Sequence, residues 1–91
     1  MVIVQNFVRE SSFDAQIKAI AKTYHRMDDL DNAIEWGLRR NPKQFYNICD
    51  DFYLWKTDRL IPDIPQLRIL YRYVEVPRPT IYLVAAEEVK F

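Results

Sequence analysis

From Gln66 to Tyr73 apolar and polar positions alternate: Leu67, Ile69, Tyr71 and Tyr73 share one parity, and Arg68, Leu70 and Arg72 share the other. Alternation with a period of two sends the sets to opposite sides of a sheet, so the pattern predicts a strand with one core face and one face carrying two arginines. Thr80 to Ala86 predicts a second strand. The intervening Glu75-Val76-Pro77-Arg78-Pro79 is its turn, because proline cannot donate to a ladder. Phe52 to Thr57 predicts a third, with Tyr53 and Trp55 on one parity and Leu54 and Lys56 on the other, so Lys56 is expected to share a face with Arg68. Val2 to Val8 is β-branched and bounded by polar residues, as suits a first strand that pairs with a later one.

A helical period occupies the stretch between. Ser11 followed by Asp14 has the form of a short capping box, and Phe13, Ile17, Ile20, Ala21 and Tyr24 recur at helical spacing, predicting a helix over 12–25. Asp28, Asp29 and Asp31 are carboxylates suited to a helix N-terminus, and Leu30, Ala33, Ile34 and Leu38 continue an apolar stripe toward Asn41-Pro42. Phe45 to Cys49 fits either an irregular strand or a turn of helix. The proline-rich 58–65 stretch, which contains Arg59, is a candidate binding loop. The expected architecture is α+β: a two-helix hairpin packed on one face of an antiparallel sheet of about four strands.

Ninety-one residues make one domain spanning 1–91, with a single modest core. The lone glycine leaves little room for phosphate-cradling loops. Thirteen basic residues balance thirteen acidic ones, so contact with nucleic acid has to come from a local patch. Cys49 is alone and His25 is alone, which offers neither an internal disulfide nor a metal set, and no cofactor is expected. With no leader or long apolar span in sight, the reading is a soluble cytoplasmic protein without a membrane partner.

The order strand, helix, helix, then three antiparallel strands, together with Leu67-Arg68-Ile69-Leu70-Tyr71-Arg72 and Tyr82-Leu83-Val84-Ala85-Ala86, resembles the RelE/ParE superfamily of type II toxins. The resemblance implies a toxin neutralised by a cognate antitoxin. In the RelE-like branch, which is preferred, it implies a metal-free, ribosome-dependent endoribonuclease that cuts mRNA. In the ParE-like branch the target is DNA gyrase and nothing is cleaved. It further implies that Arg68 and Lys56 stabilise charge at the scissile phosphate while groups near the C-terminus move protons, which gives Arg68, Lys56, Lys90 and Glu87 as catalytic candidates. Arg72, Arg59 and Lys56 are the RNA-binding candidates. Lys90 and Phe91 stand where some relatives carry histidine and tyrosine. Partners implied are the antitoxin, the ribosome and mRNA, with a homodimer or a toxin–antitoxin hetero-oligomer as the assembly. The alternative function is a non-catalytic binding module.

Each candidate also has a plainer reading. An arginine alternating with apolar residues is often an ion-paired, solvated face, and Glu87 and Glu88 read as a solvated strand end or as partners for Arg72 and Arg78 across the hairpin. Cys49 reads as a small buried hydrophobe. Trp36 falls off its helix's apolar stripe and is expected to be exposed, where aromatics favour interfaces.

Overall fold

The computed structural model describes residues 4–24, 27–57 and 66–89, the side chains of 27–31 excepted. Strand β1 (Asn6–Arg9) leads into helices α1 (Ser11–Ala21) and α2 (Met27–Arg40), followed by β2 (Tyr46–Cys49), β3 (Phe52–Lys56), β4 (Leu67–Val74) and β5 (Thr80–Glu88). The strands form a five-stranded sheet in the order β1-β5-β4-β3-β2. The α+β class is as expected, but the sheet is mixed and has one strand more. β1 runs parallel to β5, because the two helices return the chain to the same end of the sheet before the later strands begin. The undecided apolar stretch before Asp50 is the edge strand β2. It turns into β3 through Asp50 and Asp51, with Asp50 at a φ of 46°, a left-handed conformation that a short polar side chain tolerates.

The parity read from the sequence holds along β4. Leu67, Ile69 and Tyr71 are buried, and so are Ile81, Leu83 and Ala86 of β5 and Tyr53 of β3. Phe13 and Ile17 of α1 and Ile34 and Leu38 of α2 close the same core, so both helices cover one face of the sheet. Tyr53 and Tyr71 stack within it, with ring centroids 5.4 Å apart, and Phe45 stacks on Trp55 at 4.6 Å. The Tyr71 hydroxyl donates to the Pro42 carbonyl at 2.6 Å, and burial raises its phenol well above the ordinary range. Ala21 and Ala33, assigned to the helix stripes from spacing alone, are exposed, since a methyl contributes too little to fix a helix's rotation.

Two details at the end of β1 shape the rest. Ser11 does not cap α1; Glu10 is the N-cap residue, without a side-chain bond, and Asp14 lies 3.8 Å from Arg9. Arg9 also pairs with Glu35 at 2.8 Å, tying β1 to both helices. Beyond Arg9, where β1 stops, α1 lies along the uncovered edge of β5. Ser12 Oγ donates to the Val84 carbonyl at 2.6 Å, and Gln16 Oε1 accepts from the Ala86 N–H at 2.7 Å. Helix side chains thus replace the missing strand, which leaves fewer unpaired backbone groups on that edge.

Candidate functional site

The face turned away from the helices is organised in cross-strand rows. At one end Lys56, Arg68 and Glu87 sit opposite one another on β3, β4 and β5. Arg68 Nη2 lies 3.2 Å from Glu87 Oε1, while Lys56 is exposed and makes no ion pair with a described residue. The sequence expectation that Lys56 shares a face with Arg68 is met, and Glu87 joins them. Beside this row runs an apolar strip, Leu54, Leu70 and Ala85, and together with Ile48 it floors a shallow depression that opens onto Arg68 and Glu87.

Glu87 reaches this face because β5 is bulged. Leu70 pairs with Ala85 but Tyr71 pairs with Leu83, which leaves Val84 as an extra residue. Before the bulge odd-numbered residues of β5 face the core; after it even-numbered ones do. Glu88 therefore turns to the helix side, where the Tyr24 hydroxyl donates to its carboxylate. That hydrogen bond is the main reason the Tyr24 phenol is raised above its ordinary range. The two adjacent glutamates face opposite ways: Glu87 is exposed, as expected of a solvated strand end, and neither is the partner of Arg72.

Arg72 occupies the next row but one. It pairs with Asp51 in the β2–β3 turn, Nε donating to Oδ1 at 3.3 Å and Nη2 to Oδ2 at 2.9 Å. The reason lies in the register: Arg72 is opposite Phe52, which places the neighbouring turn carboxylate, and not the hairpin glutamates, within its reach. Arg72 in turn holds Asp51 below the usual carboxylate range. The guanidinium is flanked by aromatic rings, with its carbon 5.3 Å from the centre of Phe52 and 5.5 Å from that of Tyr82. The sequence reading gives no site role to Asp51, Phe52, Tyr82 or Tyr24, the last three entering it only as members of strands and of a helix stripe. Asp50-Asp51 between two apolar runs marks a strand boundary, the one sequence signal that points to the first of them.

Among the remaining candidates, Arg59 and the rest of the 58–65 loop, Lys90, Phe91 and His25 lie outside the described residues, as do the side chains of Asp28, Asp29 and Asp31. Trp36 is exposed as expected, 60% of its surface being accessible, and the Arg40 guanidinium lies 4.4 Å from its ring centre. Cys49 is exposed, against expectation, because β2 is an edge strand with all four residues on the surface. Among the described residues no group of three or more His, Cys, Asp or Glu side chains is placed to hold a metal ion, and no helix is long and apolar enough to cross a membrane. Comparison with family models, with curated proteins and with solved structures finds no match to this chain.

Proposed function

We propose that this chain is a RelE/ParE-like toxin of a type II toxin–antitoxin pair, acting by ribosome-dependent cleavage of mRNA. One observation carries the reading: Lys56, Arg68 and Glu87 form a single cross-strand row on the helix-free face. Such a row supplies what cleavage by a ribose hydroxyl requires, two cations for a phosphate and a carboxylate for a proton. In the proposed step the phosphate takes Glu87's place against Arg68, and the released carboxylate accepts the 2′-hydroxyl proton. The 2′-oxygen attacks phosphorus, the bond to the 5′-oxygen breaks, and Lys56 protonates the leaving oxygen. The products are a 2′,3′-cyclic phosphate and a 5′-hydroxyl, with Arg68 holding the non-bridging oxygens as charge builds on them.

Primer extension on a defined message with translating ribosomes tests this. The native chain is expected to give codon-phased cuts that Arg68→Ala removes, and an uncut message overturns the reading. A second reading, non-catalytic binding to gyrase or to a protein partner alone, draws support from the Arg68–Glu87 ion pair, which neutralises the cation a phosphate would need. Inhibition of gyrase supercoiling by a chain that leaves messages intact is the outcome that selects it.

A further inference from the structure

We infer that Phe52 and Tyr82, with Arg72 between them, form a base-stacking platform for single-stranded nucleic acid. The inference rests on RNA being the ligand of this face, but not on its being cut there. Phe52, Arg72 and Tyr82 are direct cross-strand neighbours on β3, β4 and β5, and all three are half-buried on the face that carries Lys56 and Arg68. Strands in a sheet lie about 4.8 Å apart, so the row presents two rings and one planar cation in sequence across the sheet.

The pairing of Arg72 decides what the row can recognise. Asp51 occupies its Nε and one Nη through two hydrogen bonds and, paired with it, is held as a carboxylate. These two bonds make Asp51 harder for a phosphate to displace than Glu87, which meets Arg68 through a single exposed contact of 3.2 Å. The guanidinium is therefore poorly disposed to act as an anion clamp; it lies against the Phe52 and Tyr82 rings, and it is the outer surface of this half-buried row that a planar group would meet. Nucleobases are planar and carry a phosphate at each step, and phosphate groups suit the other end of the face. Arg72 and Arg68 are four residues apart on β4, about 13 Å at 3.3 Å per residue, the reach of about two nucleotides of an extended strand. Between them Leu70 and Leu54 offer an apolar strip over which a ribose or an unstacked base can lie.

The same face is a poor match to an extended peptide. Peptides that add to sheets use unpaired backbone at an edge, whereas the backbone groups of β3, β4 and β5 beneath this row are spent on the ladder. Recognition here has to come from side chains, and those of the Phe52, Arg72 and Tyr82 row are flat. On the described part of the face the cations Lys56, Arg68 and Arg72 stand among the carboxylates Asp51 and Glu87, with Glu10 also close enough to act on Arg72, so it is the rings and not a net positive charge that distinguish the row.

The test is fluorescence anisotropy of a labelled oligoadenylate of about eight nucleotides with the purified chain, without ribosomes. Tyr82→Ala and Phe52→Ala are each expected to weaken binding roughly 5- to 150-fold, the loss of one stacked base. Tyr82→Phe, which keeps the ring, is expected to restore it to near the native value. An abasic sugar-phosphate chain of equal length should bind more weakly and be indifferent to Tyr82→Ala. The inference is overturned if the native chain does not bind the oligonucleotide, or if alanine variants with native circular dichroism bind it as tightly as the native chain. Equal binding of the abasic chain, or equal competition by polyglutamate, overturns it too. Ring-dependent binding by a chain that leaves messages uncut sustains the inference and defeats the cleavage proposal. Full cutting by both alanine variants, with unchanged binding, does the reverse.

Discussion

Glu87 of β5 is paired with Arg68 of β4 in the ladder and is held to it across 3.2 Å, so the acid and the cation of the proposed site neutralise each other until a substrate separates them. Both side chains are exposed, and exposed pairs contribute about 0–1 kcal/mol, so Arg68→Ala and Glu87→Gln should each melt close to the native temperature. In the ribosome assay Arg68→Ala is expected to abolish cutting, and Glu87→Gln to reduce it by roughly 10²–10⁴, the usual worth of a positioned base. A rise in cutting by Glu87→Gln would identify Glu87 as a brake on Arg68 and not as the base.

Tyr71 sits under the same strand on the opposite face, with its ring in the core and its hydroxyl on Pro42. Tyr71→Phe leaves the buried Pro42 carbonyl without that donor and should cost about 1–3 kcal/mol. Tyr71→Ala also empties a large core site at about 3–5 kcal/mol, a substantial part of the stability of a small domain. Urea titrations followed by circular dichroism should rank the variants in that order. If Arg68→Ala costs as much as Tyr71→Ala, the two faces of β4 have been exchanged.

The same phenol gives an alkaline prediction. Burial raises its folded-state pKa, whereas the unfolded chain ionises at about 10. Above that pH the unfolded state holds fewer protons than the folded one, so this contribution is intact below about pH 10 and is lost as pH rises further. Stability measured from pH 8 to pH 11 should fall more gently in Tyr71→Phe than in the native chain.

Acid acts through Asp51, whose pKa Arg72 holds down. Its contribution is complete above the unfolded carboxylate value of about 3.9 and is lost as pH falls through the lower folded value. Asp51→Asn should remove this part of the acid dependence, read from denaturant midpoints between pH 2 and pH 6. The same variant frees Arg72 from its carboxylate, so its salt sensitivity in oligonucleotide binding should increase.

Gln16 is predicted to matter to β5 more than its exposed position on α1 suggests. Gln16→Ala withdraws the acceptor of the Ala86 N–H, a loss of about 1 kcal/mol for a hydrogen bond of this kind. Hydrogen exchange at the Ala86 amide should accelerate while the amides at the centre of β4 stay protected.

What was legible in the sequence was whatever obeyed a regular period. Leu67, Ile69 and Tyr71 alternate strictly with Arg68, Leu70 and Arg72, so the faces of β4 could be read directly, and the matching parity of Lys56 placed it beside Arg68. Departures from regularity leave no compositional mark. Nothing distinguishes Val84 from its neighbours as the extra residue of a bulge, so Glu87 and Glu88 could not be sorted to their faces. The parallel pairing of β1 with β5 depends on where two helices return the chain, and the Arg72–Asp51 contact on which residue stands opposite Phe52. Both are facts of three-dimensional register, beyond the reach of local pattern.

The end of β5 carries no record of its own register. Ala85 is followed by Ala86 and Glu87 by Glu88, so sliding this segment by one position exchanges like for like and offers each face the same chemistry. The side chains of 85–88 cannot choose between the two arrangements. Contacts from outside hold the observed one: Ser12 and Gln16 meet the Val84 carbonyl and the Ala86 N–H, and the Val89 N–H donates to the Gln66 carbonyl. Helix α1 thus shares in indexing the last strand, and with it the carboxylate that meets Arg68.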